Sequence, residues 1–183
     1  SQCCQDGSLL MLRNNSFNGE GSLKFENVQF LNNFSTTSEI HRLVYIHNSD
    51  VVFSNVLWKD NGARYRLIRI DYNSDVDFIN NAFVNNNKHY NEYGIISLNS
   101  NSTADIVGTT FGANSQSVNG RVFTFEGGQN NAIRLINSVV EDRSGQTQMV
   151  YLPGGSNNSF TARNSVIPGW ANNENYSALA KDV

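Results

Sequence analysis

Two aspartates at equivalent places in a repeated pattern, Asp77 and Asp105, are the residues of this chain best spaced for acid chemistry. If the segments around them pair side by side, their carboxyls stand about 5 Å apart, the separation of the paired carboxylates of retaining glycosidases and one that also suits calcium. No cofactor is expected from the sequence, calcium being the one ion this spacing would suit. Asp71 and Asp75 lie nearby, and Arg134 falls in the same column, where it can neutralise Asp105 and leave a solvated ladder. A second set is basic: Lys59, Arg64, Arg66 and Arg69 crowd one loop and strand. Arg42 aligns with Arg66, and His47 with Asp71. A third is a row of rings, His41, Tyr65 and Tyr93, with His89 and Tyr90 in the neighbouring loop. Flat rings along one edge can stack on sugar faces, or can simply cover apolar surface. These four, His41, Tyr65, Tyr90 and Tyr93, are the glycan-binding candidates. The three histidines are scattered and gather no cysteine, so no transition-metal site is expected.

Two further residue classes bear on modification. N-x-S/T sequons begin at Asn14, Asn33, Asn101, Asn157 and Asn175, and are expected at turns or in the tail, where glycan can be accepted. Cys3 and Cys4 are the only cysteines, and adjacent Cα atoms lie about 3.8 Å apart, short of the usual disulfide range. They are expected to pair outside this chain, as interchain disulfides, or to remain free thiols.

The elements that must hold these residues are written as a repeat. Val76-Asp77-Phe78-Ile79-Asn80-Asn81-Ala82-Phe83-Val84-Asn85-Asn86 is one of six copies of a unit written with substitutions. Its central apolar residue falls at Phe25, Phe53, Phe78, Ile106, Leu135 and Ala162, giving spacings of 28, 25, 28, 29 and 27. That period lies in the solenoid range. An apolar segment precedes each unit: Leu9–Leu12, Leu43–Ile46, Leu67–Ile70, Ile95–Leu98, Val122–Phe125 and Met149–Leu152. Alternation, turn chemistry and two prolines read as three short strands per coil with no helix. Asparagine, 29 of 183 residues, fits tight turns at regular intervals because its side chain tolerates left-handed backbone. Stacked coils would align Leu12/Ile46/Ile70/Leu98/Phe125/Leu152, then Phe25/Phe53/Phe78/Ile106/Leu135/Ala162, and an aromatic column Phe30/Trp58/Phe83/Phe111/Val140/Ile167. Asn27/Asn55/Asn80/Gly108/Asn137/Asn164 is expected to form a ladder at a buried corner.

With these ladders on the page, the chain resembles the right-handed parallel β-helix superfamily of pectate-lyase-like proteins over about residues 8 to 167. Its F-x-x-N runs, Phe30-Leu31-Asn32-Asn33, Phe83-Val84-Asn85-Asn86 and Phe111-Gly112-Ala113-Asn114, with Trp58-Lys59-Asp60-Asn61 as a variant, are similar to repeats of polymorphic outer-membrane and surface adhesin proteins. The resemblance implies an all-β, right-handed, single-stranded parallel β-helix of about six coils of roughly 27 residues. It would be flanked by an N-terminal segment, 1–7, and a C-terminal tail or cap, 168–183. Lyases of that superfamily use Arg or Lys to abstract a proton beside a uronic carboxylate, a role that would fall to Arg66 or Arg69. They generally carry more coils and longer loops than this chain.

Composition narrows the function classes. A net charge of -3 without blocks of one sign argues against nucleic acid, and no apolar run approaches the roughly 18–20 residues of a membrane span. Beginning at Ser1, the chain reads as a mature product or a fragment. The expectation is a secreted or cell-surface module, structural, adhesive or glycan-binding, whose partners are extracellular proteins, copies of itself or carbohydrate. The alternative is a lyase or glycoside hydrolase acting on an acidic polysaccharide.

Overall fold

The structure, a computed structural model, describes residues 7–14, 22–33, 41–86, 94–114, 121–141, 149–151, 155–167 and 180–182. Cys3, Cys4, Tyr90, Tyr93, Leu152 and Asn175 lie outside the described residues.

Three sheets run the length of the stack, and every strand pair in them is parallel. The first contains β1 (Ser8–Arg13), β4 (Arg42–His47), β7 (Arg66–Asp71), β10 (Ile96–Asn99), β13 (Phe123–Phe125) and β16 (Val150–Tyr151). The second contains β2 (Leu23–Glu26), β5 (Asp50–Ser54), β8 (Asp75–Ile79), β11 (Thr103–Val107), β14 (Ala132–Ile136), β17 (Ser159–Arg163) and β18 (Ala180–Asp182). The third contains β3 (Gln29–Leu31), β6 (Leu57–Lys59), β9 (Ala82–Val84), β12 (Thr110–Gly112) and β15 (Val139–Val140). The chain visits the sheets in turn, so this is a parallel β-solenoid. Among the described residues five coils carry all three strands, and the sixth carries β16, β17 and a single bridge from Val166 to Val139. β18 comes from the segment expected to be a tail, and it extends the second sheet beyond β17.

Side chains alternate inward and outward along each strand, so every coil sends apolar residues from all three walls into one tube. Phe53, Trp58, Phe78, Phe83, Phe123, Phe125 and Phe160 are wholly buried there. The expected aromatic column is present as flat stacks: Phe30 on Trp58 at 4.2 Å, Trp58 on Phe83 at 5.4 Å, Phe83 on Phe111 at 4.8 Å. Phe25, Phe53 and Phe78 stack beside it and meet it edge-on, Phe53 against Trp58 at 71° and Phe78 against Phe83 at 62°. Such pairing adds about 0.5–1.5 kcal/mol per ring pair to the burial itself.

The corners explain the asparagines and correct one expectation. Asn27, Asn55, Asn80, Gly108, Asn137 and Asn164 have φ of 56°, 55°, 54°, 61°, 50° and 48°, yet these residues are exposed. They do not line a buried corner. A left-handed residue reverses the side-chain direction, and the residue after it turns inward instead. There Asn81, Thr109 and Ser138 are buried. Asn81 N donates to Thr109 Oγ1 (3.3 Å), Thr109 N to Ser138 Oγ (3.0 Å), and Asn81 Nδ2 to Phe53 O (2.8 Å). The third corner repeats the device with the last Asn of each F-x-x-N run. Asn33, Asn61 and Asn86 each donate from both N and Nδ2 to the Oδ1 of the next rung, ending at Asn114. The first corner is closed in two runs, Ser49 N to Ser74 Oγ, and Ser102 N to Asn131 Oδ1 with Asn131 N and Nδ2 both to Asn158 Oδ1. Outer asparagines form ladders of the opposite sense: Asn48 donates back to Asn14, and Asn55 back to Asn27.

Candidate functional site

The outward face of the first sheet holds the largest group of buried charges among the described residues. Register places Tyr45, Arg69, Ser97, Thr124 and Tyr151 in one outward column, with Arg42 beside Arg66 and His47, Asp71 and Asn99 in line. Ser97 and Thr124 are small and fully buried, and long side chains from flanking positions close over them. Arg66 reaches Glu126, 60 residues on and two coils along: Nη2 donates to Oε2 at 2.8 Å, while Nε lies 2.5 Å from Oε1 at an angle outside hydrogen-bond geometry. Arg69 Nη2 lies 3.0 Å from Asp71 Oδ2 and 3.8 Å from Glu126 Oε2.

Asp71 is the hub. Its carboxylate accepts from Asn99 Nδ2 at 3.0 Å and from Tyr45 Oη at 3.3 Å. A phenol has one hydrogen; given to Asp71, it leaves Tyr45 Oη to accept from His47 Nδ1, 3.1 Å away, which fixes the histidine tautomer. Burial, and after it the Asp71 charge, raises the Tyr45 phenol above its ordinary value of 10.0, against the pull of Arg69 and Arg42. The Arg42 guanidinium sits 4.3 Å from the Tyr45 ring centroid and donates from Nε to Ser8 Oγ at 2.9 Å. Tyr45, Asn99 and Glu126 did not emerge from the sequence reading. Asp71/Asn99/Glu126 recur at the end of successive first-sheet strands, and that position was the available signal.

The sequence candidates divide as follows. Arg66 and Arg69 converge, but Lys59 lies on β6 in the third sheet, 4.0 Å from Asp60, and Arg64 is exposed against the Tyr65 ring. Of the crowded four only Arg66 and Arg69 stand together, because a solenoid corner falls between Lys59 and Arg66. Asp77 and Asp105 are register partners on adjacent strands, and Arg134 is the next partner of Asp105. Arg134 grips Asp105 with both arms, Nη2 to Oδ2 at 2.7 Å and Nε to Oδ1. That hydrogen bonding raises the Arg134 pKa further. Asp77 keeps a carboxyl raised above 3.8, first by burial and then by Asp75 and Asp105, with Arg134 opposing. Both Asp105 oxygens are thus engaged by Arg134. Among the described residues no three His, Cys, Asp or Glu gather as metal ligands.

His41 and Tyr65 meet edge-on at 5.1 Å. Of the sequons, Asn14, Asn101 and Asn157 are exposed residues of left-handed backbone at the first corner, φ 53°, 58° and 58°. Asn33 is half-buried in the inner ladder of the third. Among the described residues no helix is long and apolar enough to cross a membrane. Compared with protein families, with curated proteins and with solved structures, the chain matches none. What the structure establishes is thus the parallel β-solenoid itself, with asparagine-rich corners, and the pectate-lyase-like resemblance extends no further than that fold type.

Proposed function

We propose that this chain is a secreted or cell-surface β-solenoid module with a structural, adhesive or glycan-binding role and no catalysis of its own. One observation carries the reading: the two constellations that resembled active sites are closed by partners within the fold. Arg66 and Arg69 are held by Glu126 and Asp71, and Asp105 by Arg134. A guanidinium acting as base must surrender a proton, and a buried carboxylate partner opposes this. The flat outer faces and rings such as Tyr65 offer surface for other extracellular proteins, copies of the chain or carbohydrate, without a cleft-forming loop among the described residues.

The competing reading, action on an acidic polysaccharide, draws on the convergence of Arg13, Arg42 and Arg69 over Tyr45, with Arg66 the register partner of Arg42. A panel of uronate and neutral polysaccharides separates the two. Retention on immobilised glycan without unsaturated products or new reducing ends is expected. Turnover that disappears in Arg66→Ala or Asp77→Ala proteins of native circular dichroism would overturn the proposal.

A further inference from the structure

We infer that the corner between the first and second sheets is a glycan-bearing edge, N-glycosylated at Asn14, Asn101 and Asn157, while the Asn33 sequon is excluded by the fold. This rests on the extracellular reading, since only a chain that enters a secretory route meets the transferase.

The argument lies in the hydrogens of the amide. In the reaction a carboxamide Nδ2 attacks the anomeric carbon of an oligosaccharide carried as a glycosyl pyrophosphate. The C–N bond forms, the anomeric C–O bond breaks, pyrophosphate leaves with its carrier, and Nδ2 gives up one proton to base. A glycosylated asparagine therefore keeps its oxygen and one N–H. The outer ladder at the first corner asks for no more than that. Asn101 Nδ2 donates once, to Asn73 Oδ1 at 3.2 Å, and Asn101 Oδ1 accepts from Asn130 at 2.9 Å. Asn157 Nδ2 donates once, to Asn130 Oδ1 at 3.1 Å. Asn14 serves its ladder only as acceptor, from Asn48 at 3.1 Å. At each of these exposed positions one N–H points away from the ladder, so sugar can be added without breaking a rung.

Asn33 differs in its place, not in its hydrogen count. Its Nδ2 also donates once, to Asn61 Oδ1 at 2.9 Å, beside its backbone N at 3.0 Å, but from a half-buried position inside the third corner where the first-corner asparagines are exposed. Sugar on that nitrogen would stand inside the turn between the third and first sheets. Transfer precedes folding, so chains modified there would fail to close the first coil and be lost before secretion. Asn101 and Asn157 are two rungs apart, about 10 Å, and Asn14 three rungs below Asn101, about 14 Å, so the glycans form one row along a single edge. Such a row leaves the outer faces of the second and third sheets uncovered for contact.

The test is site occupancy in the full chain, secreted from a eukaryotic host behind an added leader and carrying a tag with its own sequon. Molecules with a glycosylated tag are scored by glycopeptide mapping after enzymatic release in ¹⁸O water. Expected are modification at Asn14, Asn101 and Asn157, loss of one glycan mass in each of Asn14→Gln, Asn101→Gln and Asn157→Gln, and none at Asn33. Secreted, folded protein with sugar on Asn33, or first-corner sequons bare beside a glycosylated tag, would overturn the assignment. Because the leader is supplied, these outcomes judge placement alone; the extracellular reading fails separately, if antibody finds the native protein only inside its source cells.

Discussion

Replacing Asn86 with alanine tests whether the inner ladders, and not the exposed asparagines, hold the corners. Asn86 is 2% exposed. Its Oδ1 accepts from Asn61 N at 3.1 Å and Asn61 Nδ2 at 3.0 Å, and its Nδ2 donates to Trp58 O at 2.8 Å and Asn114 Oδ1 at 2.9 Å. Alanine leaves the buried Asn61 N–H and Trp58 carbonyl without these partners, whereas Asn114 Oδ1 still accepts from the residue 86 amide at 3.0 Å. Two orphaned groups at about 1–3 kcal/mol each, with the space left by the amide, give a loss of about 3–6 kcal/mol. That is a large share of the roughly 5–15 kcal/mol by which folded domains are stable. The control is Asn80→Ala, exposed at φ 54°, where the cost is the left-handed backbone alone, about 1–2 kcal/mol. Urea unfolding followed by circular dichroism, compared at a common slope, measures both. A loss for Asn86→Ala no greater than for Asn80→Ala would refute the claim that buried amides at the third corner carry the stack.

Two other perturbations address the charges. Glu126→Ala removes the carboxylate partner of Arg66, whose side chain is 9% exposed, and weakens the hold on Arg69; a loss of about 3 kcal/mol is expected in thermal or chemical unfolding, with Glu126→Gln milder because its amide oxygen still accepts. For Asp77 the sign follows from its raised pKa: above that pKa the folded state is penalised by an ionised carboxyl beside Asp75 and Asp105. Stability from this group is gained as pH falls through the raised pKa and is complete below 3.8, where the unfolded chain is protonated too. Asp77→Asn should therefore raise the unfolding midpoint at pH 7, by an increment that shrinks as pH is lowered toward 3.8; an increment unchanged with pH would contradict the electrostatic cause.

How much of this was legible beforehand follows from how local each feature is. Inward-facing columns can be read from a chain whose side chains alternate with period two and whose coils repeat at nearly constant length. The stacks of Phe30 on Trp58 and Phe53 on Phe78 follow from counting. So does the outward alignment of Asp77 with Asp105, because residues at equal places in successive coils become register partners. Even the abundance of asparagine predicts the left-handed corners.

The direction of each corner residue was another matter. Asn80 and Asn81 are the same residue type side by side, and which one is buried depends on where the chain turns left-handed, a single φ that reverses the sense of everything after it. The tie between Arg66 and Glu126 was equally hidden, since it crosses two coils obliquely and is possible only because Ser97 and Thr124 leave low ground between them. The sequence by itself therefore determined the solenoid, its three walls and the residues each wall offers. Only the tertiary structure decided which polar residues turn inward to close the corners and which charges neutralise one another, because those outcomes depend on backbone direction and on contacts between coils that are not neighbours.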